Sequence, residues 1–158
     1  MKKIIIAAVS ENNVIGKDGS IPWYSKAELA HFKKMTLNFQ IVMRRKTLNS
    51  LKNPLPERLN IILSRDHNIS EVGENLFFMQ SINEVYDFCN RKEFAKLFII
   101  GGEEVFKSMI DQVDELMISR MKLKVIGDTF FPIINPSIWE LYERKEYAEF
   151  VVEKFQKK

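Results

Sequence analysis

Apolar residues in this chain come in short runs, each about the length of one strand and each closed by polar or turn-forming residues. "KIIIAAVS" at 3–10 is the first. Its β-branched residues predict a buried strand rather than a helix. "FQIVM" at 39–43, "LNIILS" at 59–64, "NLFFM" at 75–79, "KLFIIGG" at 96–102 and "ELMISRM" at 115–121 read the same way, as do "WELYERKEY" at 139–147 and "EFVVEKF" at 149–155. Helical spacing appears between them. In "SKAELAHFKKM" at 25–35, Leu29, Phe32 and Met35 recur on one face. "RKTLNSL" at 45–51, "SINEVYDFC" at 81–89 and "EEVFKSMI" at 103–110 complete the helices. Ser25 with Glu28, and Ser81 with Glu84, have the S-x-x-E spacing of a capping box.

Strands alternating with helices imply a largely parallel sheet. The last strands lack intervening helices and should pair antiparallel at one edge. The expected fold is α/β: a mixed, mostly parallel eight-stranded sheet with about four helices. No linker or repeat interrupts residues 1–158, so a single domain is expected. Ligands of open α/β sheets bind at the carboxyl ends of the strands. The loops after the first, second, third and fifth strands are therefore the ones that matter.

Composition narrows the chemistry. The 158 residues are 46% hydrophobic, enough for one core. The net charge of +3 favours anionic small molecules. Basic residues are scattered apart from "FKK" at 32–34 and "RRK" at 44–46, so nucleic acid is not an expected partner. Cys89 is the lone cysteine, which excludes an internal disulfide, and two distant histidines form no zinc pattern. "IIIAAV" at 4–9 is too short for a signal-peptide core or a membrane span, so a cytoplasmic protein is expected. "FIIGGEEVF" at 98–106 poses a question. A strand ending in Gly-Gly before a helix is a usual place for a phosphate. Glu103 and Glu104 put negative charge at that place.

Five segments together resemble the dihydrofolate reductase family: "IAAVSENNVIGKDGSIPW" with an acid five residues after Trp23, "IVMRRKT", "LPERLNIILSR", "FIIGGEEVF" and "GDTFFP" at 127–132. The resemblance covers nearly the whole chain, in order. It implies reduction of 7,8-dihydrofolate by NADPH, a monomer, and binding of dihydrofolate and antifolate-type ligands. It places Glu28 as the buried pterin-pocket carboxylate, a role that competes with closing the capping box on Ser25. Ser119 matches the hydroxyl residue beside that acid, and Trp23 the indole that orders a water near it. Arg58 matches the arginine for the α-carboxylate of the glutamate tail, where a planar guanidinium suits a bidentate partner. Leu29, Phe32, Leu51 and Leu55 would line the folate cleft. Ile6 and Ile100 would offer strand-end carbonyls, with Ala8 alongside.

For the cofactor the resemblance implies Ala8, Ile15, Gly16 and Ile21 around the nicotinamide, and Arg44, Arg45, Lys46 and Thr47 at the phosphates. Leu63, Ser64 and Arg65, at the end of the third strand, would belong to the same cofactor site. Gly101, Gly102, Glu103, Glu104, Val105 and Phe106 complete the cleft, with a cis Gly101–Gly102 peptide. The 11–24 loop matches one that closes over the nicotinamide, with Asp128 bracing it near Gly16. Two positions depart from the pattern, Arg44 and Glu103, where the family usually has glycine. Their opposite charges suggest an ion pair across the cleft. Phe106 replaces a frequent tyrosine. Two alternatives remain: a folate-binding relative with weakened cofactor binding, and a reductase of another heterocycle on the same fold.

Overall fold

The computed structural model describes residues 1–66 and 73–158. An eight-stranded sheet carries the molecule. Its strands are β1 (Lys2–Val9), β3 (Gln40–Arg44), β4 (Leu59–Leu63), β5 (Leu76–Met79), β6 (Lys96–Gly101), β7 (Glu115–Met121), β9 (Trp139–Glu146) and β10 (Phe150–Lys157). The spatial order is β5-β4-β3-β6-β1-β7-β10-β9. The first six of these are parallel to their neighbours, while β10 runs antiparallel to both β7 and β9. The strand and helix order expected from the sequence holds, with boundaries moved by a residue or two.

The sheet is covered on both faces, which is why its central strands read as unbroken apolar runs. Ile5, Ala7 and Val9 of β1 face one cluster with Val105, Phe106, Phe131 and Trp139. Ile4 and Ile6 face the other, against which Ala8, Trp23, Phe32, Leu48, Leu55 and Ile100 pack. Four helices are present among the described residues: α1 (Lys26–Thr36), α2 (Arg45–Leu51), α3 (Ile82–Arg91) and α4 (Glu103–Met109). The edge strand β9 is exposed and heavily charged, a composition that discourages pairing with further chains.

One feature of the 11–24 loop was not legible as structure. Val14–Gly16 forms a short strand, β2, which pairs antiparallel with β8 (Thr129–Phe130). Runs of three and two residues are too short to carry a period. Among the described residues no helix is long and apolar enough to cross a membrane.

Candidate active site

The sheet opens between β1 and β6. Their parallel pairing ends at Ile5 with Ile99, while β1 stays paired with β7 as far as Val9 with Arg120. On the other side of β6 the register slips, so that Met43 faces Gly101. The backbone edges of Ile6 and Ile100 are thereby freed from each other at the carboxyl ends of the strands. The chain leaves β1 for β3 on one side and returns from β6 to β7 on the other. Connections that diverge in this way leave a crevice suited to a ligand.

Glu28 stands over this crevice on α1 and is 7% exposed. Half of the predicted capping box forms: Ser25 Oγ accepts the Glu28 backbone N–H at 3.2 Å. The Ser25 hydroxyl donates to Glu149 Oε1 at 3.0 Å. The Glu28 carboxylate does not close the box. It lies in the wall with Ser119 as its hydrogen-bonding neighbour. Ser119 is paired with Ala8 across β1 and β7 and is 1% exposed. Burial raises the Glu28 pKa, and the Ser119 hydroxyl pulls it partly back. The second S-x-x-E behaves differently. Ser81 Oγ accepts the Glu84 N–H at 3.2 Å, and Glu84 Oε2 reaches back to the Gln80 N–H at 3.0 Å. A carboxylate used at a helix start is thus distinguishable here from one held in a pocket.

Arg58 is 5% exposed. Its Nε donates to Pro56 O at 2.9 Å and its Nη1 to Thr36 Oγ1 at 3.1 Å. Asn60 shapes the turn that presents it, donating from Nδ2 to Leu55 O and Arg58 O and accepting the Leu55 N–H at Oδ1. Burial lowers the Arg58 pKa and Glu57 opposes that, but a guanidinium stays charged. Among the described residues Arg58 Nη2 has no partner, and it is not sealed from solvent. Leu29 and Leu51 are exposed at the same rim, at 48% and 36%.

The opposite side of the crevice is built from glycine and basic residues. The Gly101–Gly102 peptide is cis. A Cβ on Gly101 would come within 3.2 Å of Thr47 Oγ1, and its φ of +141° favours glycine. Register places Arg44 beside Leu63, so α2 and the segment after β4 emerge together. Arg45, Lys46 and Arg65 are exposed there, and Arg45 Nη1 lies 3.9 Å from Asp66. Ser64 Oγ accepts the Asp66 N–H at 3.3 Å. Ile15, Leu63, Val105 and Phe106 pack on the second face of the sheet, the last against Phe131 with ring centres 5.1 Å apart. Val105, 3% exposed, has only backbone to offer a ligand.

The expected Arg44–Glu103 ion pair is absent. Lys107 Nζ lies 3.3 Å from Glu103 and 3.9 Å from Glu104. A lysine one helical turn away reaches these acids more readily than an arginine on the facing loop. Arg44 caps α2 with its backbone and makes no side-chain cap bond.

The dihydrofolate reductase family model matches residues 3–156. The chain belongs to the dihydrofolate reductase family. A dihydrofolate reductase of Haemophilus influenzae is 38% identical over 148 residues, covering 92% of this chain and 87% of the relative. One of Staphylococcus aureus (strain MSSA476) is 36% identical over 137 residues, covering 87% and 82%. The dihydrofolate reductase of Enterococcus faecalis, solved in complex with NADP(H) and RAB-propyl, superposes with a TM-score of 0.88 at 29% identity. That superposition covers 99% of this chain and 96% of the other.

Within this family member, the 11–24 loop is tied down as expected. Asp128 Oδ2 accepts the Asp18 N–H at 2.9 Å, and the Asp128 N–H donates to Gly16 O at 3.0 Å. Gly16 is required by contact, since a Cβ there would lie 2.5 Å from Thr129 Oγ1. Ile21, beyond it, is 54% exposed. Thr36 and Asn60 were not anticipated as site residues. Thr36 gave no local signal, because its partner Arg58 is distant in sequence. Asn60 did give one: a lone amide inside the apolar run "LNIIL", fully buried.

Proposed function

We propose that this chain reduces 7,8-dihydrofolate to 5,6,7,8-tetrahydrofolate with NADPH, the reaction of its family. The observation that carries the reading is the placement of Glu28, a buried carboxylate over the β1–β6 opening, with Arg58 presented on the same face beyond it. When bound, NADPH would supply the hydride for C6 of the pterin, with the N5 proton coming from water. Glu28 would accept the pterin 2-amino and N3 hydrogen bonds, fixing the ring and favouring its protonated form. Ser119 would orient that carboxylate, and the freed edges of Ile6 and Ile100 would meet the ring's remaining polar side. Phe32 and Leu55 would sandwich the benzoyl portion, and the open donors of Arg58 would take the tail carboxylate.

The residues present fit NADPH. Thr47 and the two glycines form a cradle that a side chain would fill. Arg45, Lys46, Ser64 and Arg65 offer the donors for pyrophosphate and 2′-phosphate, which favours NADPH over NADH. Glu103, turned along α4 toward Lys107, leaves the cleft less negative than its sequence position suggested. Phe106 packs on one face of the sheet and Phe32 on the other, so rings bound from the two sides would meet at the β1–β6 opening.

The test is direct. Protein, NADPH and dihydrofolate are mixed and NADPH absorbance is followed. Consumption in step with tetrahydrofolate formation is expected. Folate binding with no NADPH consumption would overturn the enzymatic reading and leave a folate binder.

A further inference from the structure

Consecutive residues of a strand point to opposite faces. On β7, Ser119 faces Glu28 and Arg120 faces the other way, toward the root of the 11–24 loop. Arg120 Nη1 donates to Ser10 O at 3.1 Å and to Asn13 Oδ1 at 2.8 Å. Its Nε donates to Glu153 Oε1 on β10 at 3.3 Å. Asn13 is not a passive partner. It sits at φ +64°, its N–H donates to Ser10 O at 3.1 Å, and its carbonyl accepts the Phe131 N–H at 2.9 Å. Ser10 N–H and Val14 O, at 3.0 Å, then start the arm that becomes β2. One guanidinium therefore spans the sheet, the entry of the loop and the residue from which β2 departs.

We propose that Arg120 is a positioning residue for hydride transfer: with Asn13 it clamps the root of the 11–24 loop, fixing where β2 and the residues beyond it come down over the nicotinamide. This rests on the function proposed above. Asp128 holds the far end of β2 at Gly16 and Asp18. Without a fixed root, that brace would swing with the loop. Arg120 touches neither substrate nor cofactor in this scheme. Its effect passes through Asn13, and the substrate face, behind Ser119, is left undisturbed.

Two substitutions at Asn13 separate the clamp from the backbone turn. Glycine keeps the positive φ and removes the acceptor. Aspartate tolerates the same φ and keeps an acceptor. Asn13→Gly, Asn13→Asp, Arg120→Met, Arg120→Lys and the Asn13→Gly/Arg120→Met double variant are compared in the full-length protein. The first readout is amide hydrogen exchange of Val14–Ser20 in the free protein, which needs no activity. The second is single-turnover hydride transfer, with dihydrofolate Kd measured separately. Asn13→Gly and Arg120→Met should each speed exchange and slow hydride transfer about tenfold, a scale that small misplacements reach. Dihydrofolate Kd should stay within about twofold, since the folate face is untouched. Asn13→Asp should behave as wild type, and the double variant should be no worse than Arg120→Met alone. Arg120→Lys, whose single ammonium reaches the Ser10 and Asn13 acceptors or Glu153 but does not span them as the guanidinium does, should fall between and covers the case in which Arg120→Met fails to fold. Unchanged exchange, additive effects, or equal losses in Asn13→Gly and Asn13→Asp would overturn the clamp. Wild-type protein that never oxidises NADPH would overturn the proposed function and the link to hydride transfer, while exchange would still decide whether the clamp exists.

Discussion

Thr36 and Arg58 meet through one hydroxyl. Thr36 Oγ1 accepts Arg58 Nη1–H at 3.1 Å and donates its own proton to Phe32 O, one helical turn back, at 2.9 Å. Arg58, the residue proposed to take the tail carboxylate, is thereby fastened to the last turn of the helix that carries Glu28 and Phe32. Valine has nearly the shape of threonine but cannot accept a hydrogen bond. Thr36→Val should leave a buried guanidinium N–H unpaired, at about 1–3 kcal/mol. Dihydrofolate KM should rise several-fold while kcat stays, because the bond serves ground and transition states alike. Steady-state kinetics checks this, and an unchanged KM would show that Arg58 is placed without Thr36.

Arg58 itself should matter only to ligands with a tail. Arg58→Leu should weaken dihydrofolate by about 1.5–3 kcal/mol, the scale of a hydrogen bond to a charged group. A pterin lacking the glutamate tail should bind both proteins equally. Equal losses for the two ligands, measured by equilibrium titration, would place Arg58 in the architecture rather than in recognition.

What the sequence disclosed follows from how local each signal is. The apolar runs named the central strands because parallel strands buried on both faces show it in composition. Glu28 was ambiguous alone, since an acid three residues after Ser25 is also half of a capping box. Only the burial beside Ser119 separates the two uses. The Arg44–Glu103 pair does not form for the reverse reason: charge complementarity across loops is a weaker signal than Lys107, one turn along α4 from Glu103. The Arg120 clamp was illegible because Ser10, Asn13 and Glu153 are brought to it by the sheet and not by the chain.

Glu28 predicts a pH dependence of stability. Burial raises its folded pKa above the unfolded value. A carboxyl with a raised pKa favours the folded state while protonated, and that advantage is lost as pH rises through the folded value. Glutamine is neutral throughout. Glu28→Gln should therefore raise Tm relative to wild type near neutral pH, with the gain shrinking toward zero below about pH 4, where the carboxyl is protonated in both states. The same variant should lose turnover about 100-fold or more at neutral pH while still binding folate. Calorimetry across pH tests the first half, and a Tm difference independent of pH would remove Glu28 as its source. Ionised Glu28 should also pair with protonated 2,4-diaminopyrimidines, so their affinity should fall in Glu28→Gln.

Lys107 should tune the cofactor rather than the fold. It is about half-exposed and reaches Glu103 at 3.3 Å and Glu104 at 3.9 Å, just behind the Gly101–Gly102 cradle. Removing its charge uncovers two carboxylates beside the proposed pyrophosphate position. An exposed charge at this range is worth on the order of 0.2–1 kcal/mol. Lys107→Gln should therefore weaken NADPH about two- to fivefold at low salt. The difference should fade as ionic strength rises and the Debye length shrinks. Glu103→Gly should recover most of the loss in the Lys107→Gln background and do little alone, a coupled pair. Arg44→Gly and Glu103→Gly should instead combine additively, because those side chains do not meet. Fluorescence titration of NADPH across this set, at two salt concentrations, separates the outcomes. Coupling between Arg44 and Glu103, with none between Lys107 and Glu103, would mean that the cofactor-bound cleft rearranges the charges seen here.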